Sequence, residues 1–137
     1  MKALLDNDVI LDLFLYRRPF VHDAISVWEA NAEGRFEAFV SGITPVNLFY
    51  VGRKNLGAAV VRQSVTELLI AVQVCPIDRA ILRAAEQLPF SDYEDAVQHA
   101  SAMANGLEAI VTRNLNHYKS ATLPIFSPAS FLAQLAQ

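Results

Sequence analysis

The stretch that decides the fold is residues 1–12, which read M-K-A-L-L-D-N-D-V-I-L-D. Residues 3–5 form a short apolar run, which predicts a strand buried on both faces. From Asn7 onward apolar residues recur at helical spacing, so a helix follows the strand directly. Asp6 therefore lies at a strand-to-helix corner, where open α/β sheets place their ligand crevice. A simpler interpretation, in which Asp6, Asn7 or Asp8 only caps the helix, stays open at this point.

Length and composition predict a single globular domain, residues 1–137. The chain is 53% hydrophobic and 18% charged, which excludes a disordered protein. Its one cysteine, Cys75, excludes a disulfide framework and a cysteine-based zinc site, and we expect a buried structural thiol in a reducing cytoplasm. No apolar segment is long enough to cross a membrane and no export signal is present, so neither membrane insertion nor export is expected.

The balance of charge limits the classes of partner. The chain has 11 Lys and Arg against 14 Asp and Glu, a formal net charge of −3. A nonspecific nucleic-acid coat protein would be basic, because its affinity comes from neutralising phosphates. If this chain handles nucleic acid, we expect it to do so locally, through metal ions that bridge carboxylates to phosphate.

Strand and helix patterns alternate along the whole chain. Thr44-Pro45 is typical of a helix start, with the threonine hydroxyl as cap and proline in the first turn. The alternation predicts an α/β fold of three layers (α/β/α), with a four- to five-stranded, mostly parallel sheet covered on both faces. After the first strand and helix, strands are predicted at 36–40, 72–75, 109–112 and 124–126, and helices at 21–34, 44–54, 58–72, 77–88, 91–104 and 129–135.

Acidic and amide residues cluster near the ends of two predicted strands. Asp6 ends the first strand and Asn114 follows the fourth, while Asp92, Glu94 and Asp95 begin the helix before that fourth strand. Asp92 and Asp95 are three apart and share a helix face, whereas Glu94 is predicted to point elsewhere. Acids at a helix start also complement the helix dipole, which explains them without a ligand. Alternatively, these oxygens converge on Mg²⁺, which would activate a water for attack on phosphate.

Four segments in order, L-L-D-N-D-V-I-L-D-L at 4–13, S-G-I-T-P-V-N-L-F-Y at 41–50, S-D-Y-E-D-A-V-Q at 91–98 and A-I-V-T-R-N at 109–114, cover nearly the whole chain. Together they resemble the PIN (PilT N-terminus) domain family, which includes the VapC-type toxin nucleases. The resemblance implies a ribonuclease that binds Mg²⁺ or Mn²⁺ through acidic residues. It also implies that Asp6 is the family's first acid and Asp95 its third, with Asp92 an accessory acid.

The chain departs from the family pattern at the remaining acidic positions. The second acid falls on Asn47, the fourth on Asn114, and a nearby position that is often aspartate is His117. An asparagine still offers a carbonyl oxygen, but each change removes a negative charge. We therefore predict the catalytic residues Asp6, Asp95 and Asn114, and the metal ligands Asp6, Asp92, Asp95 and Asn114.

Contacts with nucleic acid are predicted at Asn47, Thr112 and Arg113. Arg113 lies beside the crevice as a phosphate contact, and Thr112 is also placed to orient Asp6 or Asn114. The resemblance further implies that the chain is the toxin of a toxin–antitoxin pair. Its expected partners are RNA, a cognate antitoxin protein and a second copy of itself.

Two other functions share parts of this pattern. Residues 6–9 resemble the nucleophile motif of haloacid-dehalogenase-like phosphatases, but those enzymes need later acids, and no Asp or Glu follows Glu108. That alternative fails. The other is a PIN-like module that binds RNA or protein without cutting, which Asn47, Asn114 and His117 favour. A titration with divalent metal would distinguish this binding module from a metal-dependent nuclease.

Overall fold

The centre of the computed structural model, which describes residues 1–137, is a five-stranded sheet. Its strands are β1 (Lys2–Leu5), β2 (Glu37–Ser41), β3 (Gln73–Cys75), β4 (Ala109–Val111) and β5 (Ile125–Phe126). All neighbours pair in parallel, in the order β3-β2-β1-β4-β5, so β1 occupies the middle. The prediction of a parallel sheet is confirmed.

Helices cover both faces of the sheet, which confirms the predicted three layers. The ends of strands and helices differ from the sequence prediction by one or two residues, and a 3-10 turn at Leu115–Tyr118 was not predicted. No helix has the length and apolar composition needed to span a bilayer. The helices are α1 (Asn7–Phe14), α2 (Val21–Ala32), α3 (Ile43–Leu56), α4 (Ala58–Ala71), α5 (Arg79–Glu86), α6 (Tyr93–Ala104) and α7 (Pro128–Leu135).

Strand β1 contributes to the hydrophobic core on both faces, because successive side chains of a strand point to opposite sides. Ala3 and Leu5 pack with residues of α1, α2, α3, α4 and α7. Leu4 faces the opposite layer, with Ala102 of α6 and Tyr118 of the 3-10 turn. Burial on both faces explains why the strand is apolar without alternation.

The start of helix α3 differs from the sequence prediction. The helix begins at Ile43, and its N-cap residue is Gly42, which makes no side-chain cap bond. Thr44 lies inside the first turn, and its hydroxyl donates to Asn7 Oδ1 at 2.5 Å. The predicted Thr44 cap was wrong, because an amide oxygen from α1 takes the hydroxyl instead.

The carboxyl ends of β1 and β4 bring the polar segments together. The Asp6 amide donates to Val111 O at 3.0 Å, which joins the end of one strand to the other. Asp6 also caps α1, with Oδ1 accepting from the Asn7 amide at 2.8 Å. Asp92 caps α6 in the same way, through the Asp95 amide at 3.0 Å. Asp6 and Asp92 therefore cap their helices and also belong to the cluster of polar side chains at this edge of the sheet.

Candidate functional site

An open cleft of about 320 Å³ lies at the carboxyl ends of β1 and β4. Only one of its 12 lining residues is hydrophobic. The carboxylates on its wall belong to Asp6, Asp8, Asp92, Glu94 and Asp95. Among the other residues singled out in the sequence, Asn47, Arg113, Asn114 and His117 also line it. The fold thus gathers almost all of the predicted site residues around one cavity.

Asp6 is buried at the floor of the cleft and is held by several donors. Its Oδ1 accepts from Gln98 Nε2 at 3.1 Å as well as from the Asn7 amide. Its Oδ2 accepts from Thr112 Oγ1 at 2.9 Å and from the Tyr118 hydroxyl at 3.2 Å. Burial, and next the charge of Asp6, raise the pKa of Tyr118, so this hydroxyl stays protonated and donates. The orientation of the Asp6 carboxylate is therefore fixed.

Asp8 lies beside Asp6 and competes with it for one proton donor. Asp8 Oδ2 accepts from the Arg113 amide at 3.0 Å and lies 3.2 Å from Thr112 Oγ1. A hydroxyl carries a single proton, so Thr112 can donate to only one of the two carboxylates at a time. Burial, and next the charge of Asp6, raise the pKa of Asp8 to about 6. Its Oδ1 is buried without a hydrogen-bond partner.

Asp95 faces the same cleft from the first turn of α6. Burial, followed by the charges of Asp6 and Asp92, raises its pKa to about 6. Asp95 Oδ2 lies 3.0 Å from Nδ1 of His117, whose charge and hydrogen bond oppose that rise in pKa. The 3-10 turn thus supplies a nitrogen to Asp95.

Glu94 also faces the cleft, so the expectation that it points elsewhere was wrong. Its Oε1 accepts from Asn7 Nδ2 at 2.8 Å. The helix-face argument considered α6 alone, whereas the start of α1 lies within reach of this side chain. Asn7 therefore links three elements, because its Oδ1 accepts from Thr44 of α3 at the same time.

Arg113 is engaged by a buried carboxylate from α1. Its Nε donates to Asp12 Oδ2 at 2.6 Å and its second guanidinium nitrogen donates to Asp12 Oδ1 at 3.1 Å. The guanidinium carbon also lies 3.9 Å from the centre of the Phe20 ring. The hydrogen bond to Asp12 is the main cause that raises the pKa of Arg113. The residue predicted to contact phosphate thus has an internal partner.

The remaining predicted residues differ in exposure. Thr112 is fully buried, with its hydroxyl on Asp6 and Asp8, and it offers no surface to a nucleic acid. The side chain of Asn114 is exposed, and the backbone N–H of Asn114 donates to Thr112 Oγ1 at 3.0 Å. Asn47 is half-buried, and its Oδ1 has no hydrogen-bond partner.

A family model described as PIN domain matches residues 2–116. The chain belongs to the PIN domain family. PIN domains are in general nucleases. No curated protein matches this PIN domain by sequence similarity.

Solved structures of similar fold support the same architecture. DNA-bound VapBC from Salmonella typhimurium is 20% identical, with a TM-score of 0.73 over 93% of this chain and 98% of that one. FitAcB from Neisseria gonorrhoeae is 19% identical, with a TM-score of 0.67 over 93% and 98%. VapC20 of Mycobacterium tuberculosis, named as a sarcin–ricin-loop-cleaving toxin, is 11% identical, with a TM-score of 0.64 over 79% and 86%.

The cleft of this PIN domain fits a hard divalent cation whose shell is completed by water or substrate. No group of three or more His, Cys, Asp or Glu side chains is already arranged around a metal position. Two residues that line the cleft nevertheless have a buried oxygen with no hydrogen-bond partner, Asp8 Oδ1 and Asn47 Oδ1. Burial, followed by the charge of Asp6, raises the pKa values of Asp8 and Asp95, and a bound cation would favour the charged form of both carboxylates. Carboxylate and amide oxygens are also the ligands that Mg²⁺ takes.

Sequence reasoning missed several residues that build this site. Gln98 follows Asp95 by three positions on α6, and that spacing could have placed both on one face. Asp12 and Tyr118 left no comparable signal, because their partners are 101 and 112 residues away in the sequence. Only the packed sheet brings such pairs together.

Proposed function

We propose that this PIN domain is a ribonuclease that depends on Mg²⁺ or Mn²⁺. The observation that carries the proposal is the cleft itself, which is lined by five carboxylates and in which one carboxylate oxygen, Asp8 Oδ1, and one amide oxygen, Asn47 Oδ1, are buried without partners. In this proposal Asp6 and Asp95 hold the metal and act in catalysis together with Asn114, while Asp92 and Asn114 complete or orient its water shell. The similar fold of VapC20, named as a sarcin–ricin-loop-cleaving toxin, supports RNA as the substrate.

In this proposal the metal and the side chains around Asp6 have separate roles. A bound divalent metal would lower the pKa of a water and screen the charge of the phosphate. Gln98, Thr112 and Tyr118 fix the Asp6 carboxylate, so the position of one ligand is set before metal arrives. Thr112 is thereby assigned to orientation of Asp6, as one of its two predicted roles, and not to contact with RNA.

We also propose that the protein acts as the toxin of a toxin–antitoxin pair in the cytoplasm. The similar solved structures include a toxin–antitoxin complex from Klebsiella pneumoniae, 21% identical with a TM-score of 0.68 over 92% of this chain and 97% of that one. A cognate antitoxin is therefore the expected protein partner. Its identity can be tested by co-expression with the product of the neighbouring gene.

A homodimer is the second expected assembly, and an apolar groove between α3 and α4 supports it. The groove is about 300 Å³ and has four hydrophobic residues among the six that line it. Val46 and Tyr50, on its wall, are 58% and 53% exposed. Val46→Asp should shift a dimer to monomer in light scattering, with the charge change Val74→Asp on β3 as a control.

The experiment that tests the activity is cleavage of a mixed RNA pool by three preparations. The wild type with Mn²⁺ should cut, whereas the wild type with EDTA and the Asp6→Asn variant with Mn²⁺ should not. The melting temperatures of the wild type and of the Asp6→Asn variant are compared, to test that the variant is folded. Cutting that survives EDTA or the loss of Asp6 would contradict the metal-dependent mechanism.

The second candidate is a PIN domain that binds RNA or protein without cutting. Asn47 and Asn114 favour it, because they stand where the family has acids and each lacks the negative charge. Calorimetric titration with Mn²⁺ distinguishes the two. A folded protein that neither binds Mn²⁺ nor cuts RNA would favour the binding module.

A further inference from the structure

The cleft contains a basic side chain, Arg17, to which the proposed ribonuclease site gives no role. Three basic side chains line it, namely Arg17, Arg113 and His117. Arg113 is bound by Asp12 through two hydrogen bonds, and His117 lies against Asp95. The side chain of Arg17 makes no hydrogen bond, and its Nε is buried without a partner.

The nearest carboxylate does not satisfy Arg17. Asp12 Oδ1 lies 3.7 Å from Arg17 Nε, which is beyond hydrogen-bond distance. Both oxygens of Asp12 already accept from Arg113, at 2.6 and 3.1 Å. The Arg17 side chain is 38% exposed, so its guanidinium is within reach of a ligand in the cleft.

The end of α1 places Arg17 at this position. Tyr16 has a φ of 52°, a left-handed conformation that is uncommon for a bulky residue, so the chain reverses after the helix. The Arg17 amide then donates to Asp12 O at 3.0 Å, and the carbonyl of Arg17 accepts from the Val21 amide at 2.7 Å. The backbone of Arg17 is thus held on both sides, while its side chain has only the long ion pair with Asp12 and no hydrogen-bond partner.

The chemistry of the cleft points to an anion as the missing partner. A guanidinium has several donors in a planar fork that matches the oxygens of a phosphate. The other charged groups on the wall are mainly carboxylates, which repel a nucleic acid. We propose that Arg17 binds a backbone phosphate of the RNA strand that enters the cleft, as a substrate-binding residue. This inference rests on the proposed ribonuclease function.

The test measures RNA binding, separately from cutting. The parent is the wild type in Ca²⁺, which also takes oxygen ligands but replaces the ion proposed to support cutting. It is mixed with a labelled single-stranded RNA of random sequence, and anisotropy is recorded over a series of salt concentrations. Adding Arg17→Ala should weaken binding about tenfold, because a charge-assisted bond is lost. The slope of log affinity against log salt should become shallower by about 0.7, the value for one phosphate contact on a single strand.

Two further variants act as controls. Arg18→Ala removes the same charge one residue away, from an exposed side chain that stacks on Tyr16 and does not line the cleft. Its effect on binding should stay within about twofold. Arg17→Lys keeps the charge without the planar fork and should recover part of the affinity.

Each result has a distinct meaning. If the parent does not bind RNA, the proposed function falls and the inference falls with it. If the parent binds and Arg17→Ala binds equally well, only the role of Arg17 is overturned. Weaker binding with an unchanged salt slope would make Arg17 a structural partner of Asp12. Binding of poly-glutamate that needs Arg17, with RNA binding unchanged, would assign the residue to an acidic polypeptide instead.

Discussion

At the scale of single residues, the site depends on one hydroxyl between two carboxylates. Thr112 Oγ1 lies 2.9 Å from Asp6 Oδ2 and 3.2 Å from Asp8 Oδ2, and it accepts from the backbone N–H of Asn114. Thr112 directly follows β4, and both carboxylates line the cleft. A residue that never touches substrate can therefore set the geometry of those that would.

Replacing this hydroxyl should loosen the site. Thr112→Val leaves Asp6 Oδ2 with the Tyr118 hydroxyl as its one hydrogen-bond donor, and it leaves the backbone N–H of Asn114 without a partner. We expect a loss of about 1–2 kcal/mol in the free energy of unfolding and weaker Mn²⁺ binding in calorimetry. Thr112→Ser, which keeps the hydroxyl, should stay close to wild type. Equal Mn²⁺ affinity in all three proteins would contradict the orienting role.

Asp8 should make the stability of the metal-free protein depend on pH. Burial and the charge of Asp6 raise its pKa from 3.8 to about 6, so the folded state binds this proton more tightly than the unfolded state. The stability from this group is complete below about pH 4 and is lost as the pH rises through about 6. In urea denaturation with EDTA, Asp8→Asn should therefore gain on the order of 1–2 kcal/mol over wild type at neutral pH. The gain should vanish near pH 4, and a constant difference across that range would contradict it.

At the scale of elements, the pair of Arg113 and Asp12 ties the loop after β4 to helix α1. Asp12 is 1% exposed and accepts both hydrogen bonds from Arg113, which also stacks on Phe20 at the start of α2. The loop after β4, helix α1 and the start of α2 are thus joined through one guanidinium. Removal of one partner from a buried pair leaves the other without compensation, which is costly.

Asp12→Ala should therefore destabilise the fold by about 3 kcal/mol, measured as the free energy of unfolding in urea. The matched control is Arg83→Ala, which breaks the exposed pair with Glu86 on α5 and should cost less than about 1 kcal/mol. Similar losses in the two variants would show that Asp12 does not act as a buried anchor.

At the scale of the whole molecule, the acidic cleft makes the fold sensitive to divalent cations. Five carboxylates from α1, α6 and the end of β1 face one cavity, in a chain with a net charge of −3. A ligand that binds only the folded state stabilises it in proportion to the logarithm of its concentration. Metal binding should therefore be visible in global stability, whether or not the protein cuts RNA.

Mn²⁺ should raise the melting temperature of the wild type by several degrees once its concentration is about 100 times the dissociation constant. Asp6→Asn and Asp95→Asn should lose most of that rise, because each removes a proposed ligand. Glu37→Gln, which changes an exposed acid at the far end of β2, should respond as the wild type does. An equal rise in every protein would indicate nonspecific screening of charge.

The periodicity of apolar residues was sufficient to predict the strands, the helices and their parallel arrangement. Sequence also placed Asp6 and Asn114 at the carboxyl ends of two parallel strands, which share an edge of the sheet, and Asp95 at the start of the helix that precedes the second of these strands. It failed for Thr44 and Glu94, where the prediction considered one helix by itself. In both cases the partner was Asn7, which lies on another element.

The sequence by itself determined the alternation of buried strands and amphipathic helices, and with it the edge where the acids collect. Only the tertiary structure decided which oxygens and basic side chains of the site already have hydrogen-bond partners. Arg113 is bound to Asp12, whereas Arg17 has no hydrogen-bond partner. The physical reason is that apolar periodicity is local along the chain. Hydrogen-bond partners at the site, such as Gln98 and Asp6, are 92 residues apart and meet only when the sheet and helices pack.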